Sequence, residues 1–343
     1  MTALASTGTP TGPAGRPFAM TRMTLLLHRP ALYAWMGLSV VGAALLLWLY
    51  GPLTDAAITG WRQFLACGQS ACSYDQNAIL TYKTVSQYAT YAMNLVPFLV
   101  AAWAGASLIG RELENGTAQL VWAQSVSPAR WLAAKLAVPA ALVTAGTSVL
   151  VLLHRMVWFK GRGKIDNAKP WAEESTFHAN GTTTIAFALA GLAFGALAGI
   201  VLRRSLAALV VAVLCTVGIR FAVSLALPHL WPTVTTVTSL THDGPKDLGL
   251  MVDSGLLTSS GARIANPFCG TSHSAMCRAE YDKLDAVSYY SDSHPFSHFW
   301  SLQLTATALV LALAGLAVLV SFRLLKRRTG ASTVTATYKE PAA

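Results

Sequence analysis

The sequence predicts an all-α polytopic membrane protein with six transmembrane helices. Two observations lead to this fold class. Of 343 residues, 54% are hydrophobic and only 12% are charged, about half the charged fraction of a typical soluble domain. Six apolar runs are also long enough to cross a hydrocarbon core, and Arg220 is the only charge within them. The runs cover 31–50, 88–110, 136–153, 182–202, 205–227 and 299–322.

The first 30 residues form an N-terminal arm. Residues 1–15 carry no charge and are rich in Thr, Gly, Pro and Ala, which predicts a disordered tail. Residues 16–29 mix bases with apolar side chains, as in a short helix at the inner membrane interface or a simple continuation of the first span. A cleaved secretory signal is the less favoured interpretation, because the apolar run is long and no clear cleavage site follows it.

The distribution of charge predicts the orientation. An even number of spans places both termini on one side. With cytoplasmic termini, the inner segments hold 13 basic and 3 acidic residues, and the outer loops hold 11 basic and 12 acidic residues. This agrees with the positive-inside tendency, although the basic loop 154–181 falls on the outer side. We therefore expect residues 323–343 to form a basic cytoplasmic tail.

Residues 228–298, between spans five and six, are too long for a simple turn and should form a small folded extracytoplasmic segment. This segment is called the cap below. Spans one to five and their loops occupy 31–227, and span six occupies 299–322.

Four of the five cysteines fall in outer loops, where disulfides can persist. Cys67 and Cys72 lie in the first outer loop, and Cys269 and Cys277 lie in the cap. Local pairs are the simplest connectivity, while bridges between loops and four unpaired thiols remain open alternatives. Zinc is less expected, because neither pair has Cys-x-x-Cys spacing.

Spans four and five are joined through Arg203-Arg204 alone, which predicts a tight antiparallel hairpin. Gly191, Gly195 and Gly199 recur every four residues in span four. Such a face lets another helix backbone approach closely. We favour a helix of the same chain over one from a second copy.

Three further residues within the spans could line a pathway or serve packing. Arg220 should face protein, water or the interface, because facing lipid is costly. Snorkelling toward the outer end is favoured over a substrate or partner contact. Asn94 can bond across helices, and Pro97 can kink span two. Packing is the first interpretation for both, and a pathway lining is the alternative.

The sequence contains no recognisable catalytic or metal site. The stretch "GRGKIDN" at 161–167 lacks the spacing of a phosphate-binding loop. His-Glu-x-x-His, a Gly-x-Ser-x-Gly elbow and paired carboxylates within the spans are also absent from the sequence. We therefore expect neither ATP hydrolysis nor a cofactor in this chain, and an intramembrane enzyme is the weakest functional class.

The segment 110–135, between spans two and three, begins "GRELENGTAQLVWAQSVSPARW". Charges and Gly116 end the apolar run, and an amphipathic stretch follows. Ser127-Pro128 is a good cap and first-turn pair for the next helix. The pattern predicts a break and then a short cytoplasmic helix along the membrane, where it could receive force from a soluble partner. Arg130, Trp131 and Lys135 should anchor span three at the inner interface.

The pattern "RELENGTAQLVWAQSVSPARWLAAKL" resembles the loop after the second span in permeases of the ABC-2 family. The resemblance covers about 26 residues, and the six-span plan agrees with it, whereas the long cap departs from it. It implies a membrane subunit that dimerises and docks on two separate ATP-binding subunits, which hold ATP and Mg. The positions that match the coupling loop are Glu112, Glu114, Gly116, Thr117, Pro128 and Arg130.

The sequence therefore predicts a transporter permease subunit in the cell membrane, with export as the direction that the resemblance implies. Its expected partners are an ATP-binding subunit, a second identical or different permease, and lipid, but no nucleic acid. Glu112 and Glu114 should meet basic groups on the ATPase, unless they are simply solvated acids at a helix end. The alternative function is a membrane sensor or assembly factor whose cap binds a ligand.

Overall fold

The computed structural model of the chain describes residues 29–67, 73–124, 126–165, 169–240, 249–267 and 275–336. Six helices within these ranges are long and apolar enough to cross a membrane, which confirms the predicted number. They are span one, Arg29–Ala66; span two, Gln76–Glu114; span three, Pro128–Gly161; span four, Thr182–Leu202; span five, Ser205–His229; and span six, Phe296–Thr329. The N-terminal arm before Arg29 lies outside the described residues, so its predicted interfacial helix stays a prediction.

Four of the spans change helix type along their length. Span one consists of Arg29–Trp48, a π-helical turn Leu49–Leu53 and Thr54–Ala66; span two consists of Gln76–Trp103, a π-helical turn Ala104–Gly110 and Arg111–Glu114. Span five is Ser205–Ala226 followed by the 3-10 turn Leu227–His229, and the 3-10 turn Phe296–His298 precedes the last helix, Phe299–Ala336. Two short helices, Thr117–Ala123 and Glu174–Ala179, connect spans.

Spans one to three extend well beyond their apolar runs. The outer segment predicted as a loop at 51–86 is therefore largely helical, and 154–181 is helical over 154–161 and 174–179, which corrects the sequence prediction. Hydropathy locates the apolar part of a helix, whereas the helix itself continues until a cap or breaker. Asp75 supplies such a cap for span two, because its carboxylate accepts a hydrogen bond from the Ala78 amide at 2.9 Å.

Span four is the central helix of the bundle and contacts spans two, three, five and six. Its glycine face packs against span two of the same chain, as favoured from the sequence. A Cβ atom on Gly191 would lie 2.7 Å from the Pro97 carbonyl oxygen, and one on Gly195 would lie 2.5 Å from the Ala104 Cβ. A Cβ on Gly199 would lie 2.9 Å from the Gly110 amide nitrogen. The two helix backbones are therefore in close contact over about two turns.

The hairpin between spans four and five is as tight as predicted. Span four ends at Leu202 and span five begins at Ser205. Arg203 adopts a left-handed conformation with φ 51°, which ends the first helix at once. Spans four and five therefore run antiparallel. Their junction lies at the same end of the bundle as the 110–135 segment, because the Ser205 amide donates to Glu114.

The cap contains a four-stranded antiparallel sheet, so the all-α prediction is wrong for this region. The strands are β1, Val234–Ser239; β2, Leu250–Thr258; β3, Arg263–Ile264; and β4, Ala286–His294, in the order β1-β4-β2-β3. A helix, Ala275–Lys283, contributes Cys277 and Tyr281 to a small core with Leu256. The β-branched "VTTVTS" of β1 favours a strand. The side of the membrane on which the cap lies stays a prediction.

One face of the cap sheet carries a polar cluster around Asp292. Its carboxylate accepts hydrogen bonds from Thr235 and from Arg263, the latter at 2.6 Å. These two hydrogen bonds hold the pKa of Asp292 below its ordinary value. The Arg263 guanidinium also lies 4.5 Å from the ring centre of Tyr290. The cluster joins three of the four strands.

The cysteine predictions fall partly outside the described residues. Cys277 is buried in the cap core and Cys67 ends the first span. Their expected partners, Cys72 and Cys269, are not among the described residues, so the local disulfide pairing stays a prediction. Cys215 in span five is a free, exposed thiol.

Candidate functional site

The 110–135 segment contains the break and the short helix that its sequence predicts. Span two passes through its π-helical turn and ends at Glu114. Gly116 then adopts φ 72°, a left-handed conformation that glycine takes without steric cost. The helix Thr117–Ala123 follows at once. The direction of this helix relative to the membrane stays a prediction.

The start of span three has the predicted cap. The Ser127 hydroxyl accepts a hydrogen bond from the Arg130 amide at 3.3 Å, and Pro128 is the first helical residue. The indole rings of Trp122 and Trp131 meet edge to face, with centres 5.6 Å apart. Because Trp131 is buried, this contact packs the end of the short helix against the start of span three.

Both acids of the segment have partners within the chain. The Lys135 ammonium donates a hydrogen bond to Glu112, and their side chains are only 4% and 12% exposed. Glu114 accepts a hydrogen bond from the Ser205 backbone amide at 2.8 Å, which caps the N-terminus of span five. The interpretation of a solvated acid therefore does not fit Glu112, whereas Glu114 is exposed to solvent and bonded at the same time. Glu112 joins the segment to span three, and Glu114 joins it to span five.

The outward surface of the segment is mainly polar. Thr117, Gln119 and Arg130 are exposed, and Leu120 is 67% exposed. The Thr117 hydroxyl donates to the Glu112 backbone carbonyl at 3.2 Å, so its position is fixed by the turn before it. An isolated exposed leucine within a polar surface is a suitable contact for a soluble partner. These residues, rather than the enclosed carboxylate of Glu112, are available for docking.

A second polar cluster joins spans two and five at the opposite end of the bundle. Arg220 Nη2 donates to Asn94 Oδ1 at 2.7 Å, and its Nε lies 3.4 Å from Glu174 Oε1. Asn94 Nδ2 in turn donates to the Ser175 carbonyl at 2.9 Å. Asn94 thus bonds across helices as predicted. Arg220 faces protein, and its guanidinium is held in place instead of snorkelling alone to the interface.

Two buried nitrogen atoms near this cluster have no hydrogen-bond partner among the described residues. They are Arg220 Nη1 and His178 Nε2. Burial, with a smaller contribution from the charge of Arg220, holds the pKa of His178 well below its ordinary value. Unpaired buried polar atoms are uncommon and indicate water or a polar ligand. This part of the bundle interior is therefore suited to polar species.

Several residues of these clusters were not predicted as functional. Lys135 was predicted only as an interface anchor, yet it is the partner of Glu112, 23 residues away. A lysine directly before an apolar run, together with an acidic residue in the same connecting segment, is a sequence pattern from which this pair could have been predicted. Glu174 and His178 gave no such signal, because their importance depends on how the short helix Glu174–Ala179 packs. Within the described residues, no group of three His, Cys, Asp or Glu side chains is placed to hold a metal.

Comparison with known proteins identifies a family. Residues 36–227, more than half of the chain, match the family model described as ABC-2 membrane transporter related. The match includes the whole 110–135 segment and most of each of the first five spans. No curated protein and no solved structure matches the chain significantly.

Proposed function

Because the chain belongs to the ABC-2 membrane transporter related family, we propose that it is the permease subunit of a transporter in the cell membrane. A separate subunit binds and hydrolyses ATP with Mg, and this chain carries no catalytic site of its own. Two permeases, identical or different, assemble with two ATP-binding subunits. The direction that we propose is export.

The observation that best supports coupling is the double attachment of the 110–135 segment. Its turn is bonded to span three through Glu112 and Lys135 and to span five through Glu114 and Ser205. A partner that displaces the exposed helix Thr117–Ala123 would therefore pull on both spans. A loop that only connected two helices would need neither attachment.

Transport also requires that the other end of the bundle change its contacts. The hydrogen bond between Asn94 and Arg220 joins spans two and five near the cap. Movement of either span would have to break or reorient this bond. We propose that this rearrangement opens the path alternately to the two sides, as in other packing transitions between discrete states.

The structure also leaves room for a second permease. The apolar stretch of span one is 11% buried, less than that of any other span. Val40, Val41 and Leu47 are among its exposed apolar side chains. This surface suits either lipid or the span of a second permease.

Cross-linking tests docking on an ATP-binding subunit. A Gln119→Cys variant, made in a Cys215→Ser background, is expressed with an ATP-binding subunit that carries a Walker motif and treated with a thiol-to-amine cross-linker. We expect a cross-link from position 119, and none from a Val287→Cys control on the exposed cap sheet. Absence of both the cross-link and co-purification contradicts the proposal. A chain that folds alone and binds a ligand only through its cap would support the sensor alternative.

A further inference from the structure

A polar cavity of about 220 Å³ lies between spans two and three, close to the cap. Neither Asn94 nor Arg220 lines it, although Asn94 donates to the backbone carbonyl of the lining residue Thr90 at 2.7 Å. Span two contributes Tyr82, Ser86 and Thr90, span three contributes His154, and the short helix Glu174–Ala179 contributes Thr176. With Lys83, Gln87 and Lys169, eight of its ten lining residues have polar side chains. None of them was predicted as a site from the sequence.

The back wall of the cavity is fixed by hydrogen bonds. His154 is buried, and its Nε2 lies 3.0 Å from the Thr90 hydroxyl while its Nδ1 lies 2.7 Å from Asn180 Oδ1. Both ring nitrogens are therefore occupied, and the imidazole cannot rotate without breaking a buried bond. The wall is a preformed surface that needs no rearrangement to receive a ligand.

Thr176 is the residue that indicates an occupant. It is 1% exposed, and its hydroxyl has no hydrogen-bond partner among the described residues. Burying a hydroxyl without a partner is unfavourable, and native proteins rarely leave such a group unpaired. Because Thr176 lines the polar cavity, a molecule within that cavity is the natural partner for its hydroxyl.

The charge around the cavity favours an anion. Lys83 and Lys169 line it, and no lining residue is acidic. Lys169 is paired with Glu173 at 2.7 Å, whereas no described acidic residue pairs with Lys83. One ammonium group is thus not neutralised by a described carboxylate. Ammonium and hydroxyl groups are good donors for the oxygens of a phosphate or carboxylate.

We propose that this cavity binds an oxyanion, with Lys83 and Thr176 as its donors. Its volume of about 220 Å³ accommodates a phosphate or carboxylate group with several attached atoms. The oxyanion belongs either to a small free solute or to the headgroup of a lipid. The site requires only the folded chain, so it does not depend on the proposed coupling to an ATPase.

Binding of radiolabelled inorganic phosphate to the full chain in phosphatidylcholine nanodiscs tests the free solute. Lys83→Gln should weaken binding roughly tenfold, the loss expected for one charge-assisted hydrogen bond. Thr176→Val should weaken it roughly threefold, as for a neutral hydrogen bond, without lowering thermal stability. Lys164→Gln removes an exposed positive charge outside the cavity lining, and Thr147→Val removes another buried, unpartnered hydroxyl outside it. Both controls should bind phosphate like the unmodified chain.

A parallel measurement tests the lipid headgroup. The chain is purified from membranes that contain phosphatidylglycerol, and retained lipid is counted by native mass spectrometry. Retention that decreases in Lys83→Gln but not in Lys164→Gln supports the same site with a lipid as its occupant. The proposal is overturned if neither phosphate nor phosphatidylglycerol binds, or if the cavity variants and their controls behave alike. Neither result depends on transport, so the proposed function is tested separately.

Discussion

The ion pair between Glu112 and Lys135 offers a quantitative test of how the 110–135 segment is joined to span three. The Lys135 side chain is more deeply buried than that of Glu112, at 4% against 12% exposed. Removing one partner of a buried pair leaves a charge in a poorly solvated site, and the cost depends on which charge remains. The two single variants should therefore differ in stability.

Glu112→Gln removes the carboxylate that faces the buried ammonium. We expect a loss of about 3 kcal/mol in the free energy of unfolding, at the lower end of the range for a broken buried pair. Lys135→Met leaves a carboxylate that water reaches more easily, so the loss should be about 1 to 2 kcal/mol. The double variant retains neither charge and should fall within about 1 kcal/mol of the unmodified chain.

The measurement is a double-mutant cycle on unfolding in detergent micelles, followed by tryptophan fluorescence. The two single losses sum to about 4 to 5 kcal/mol and the double variant loses at most about 1 kcal/mol, so we expect a coupling energy of at least about 3 kcal/mol between the two positions. Strictly additive losses, or single variants within about 0.5 kcal/mol of the unmodified chain, would refute the reasoning, because such values are typical of solvated surface pairs. If the double variant folds but no longer links ATP hydrolysis to transport, the pair also serves coupling.

Three further predictions concern other parts of the fold. Gly195→Ala should reduce the yield of folded protein, because the added Cβ would lie 2.5 Å from the Cβ of Ala104 in span two. Gly315→Ala is the control, since no atom lies within 4 Å of its added Cβ, and it should be neutral or stabilising. A fluorescence-based thermal unfolding assay compares the two variants. Because hydrogen bonds lower the folded-state pKa of Asp292, the stability they supply is present above its unfolded pKa and is lost as the pH falls through the folded value. The hydrogen-exchange protection factors of the cap sheet, which are corrected for the intrinsic exchange rate, should therefore fall in acid, and Asp292→Asn should flatten this dependence. Asn94→Leu should lower the unfolding temperature more than Glu174→Gln, because Asn94 is hydrogen-bonded inside the bundle whereas the Glu174 side chain is 54% exposed. Equal decreases in the unfolding temperature of the two variants would contradict this order.

The sequence predicts the spans well because a membrane requires long apolar runs, and those runs are local in the chain. It also predicts the Ser127 cap and the contact face of span four, since both depend on residues a few positions apart. The sheet in the cap was missed, although the β-branched residues of β1 favour a strand, because strand pairing joins Val234 to Ser293 across 59 residues. Pairings at such a distance cannot be deduced from local pattern.

The basic loop 154–181, which disagreed with the predicted orientation, shows a similar limit. Arg155 donates to the Asn180 carbonyl at 3.0 Å, Lys160 pairs with Asp55 at 2.7 Å, and Lys169 pairs with Glu173 at 2.7 Å. Arg162 lies 3.9 Å from the ring centre of Phe296. These cations have specific partners in the fold, whereas a count of charges treats each one as free. The five bases of loop 154–181 are therefore a weaker argument against cytoplasmic termini than their number indicates.

The glycine contacts provide a physical route between the two polar clusters. Gly191 lies against the Pro97 carbonyl oxygen, and Gly199 lies against the amide nitrogen of Gly110, so spans two and four touch from near Asn94 to the start of the 110–135 segment. Close backbone packing resists sliding, because any shift creates overlaps between atoms that already touch. A displacement at Gly110 should therefore move spans two and four together.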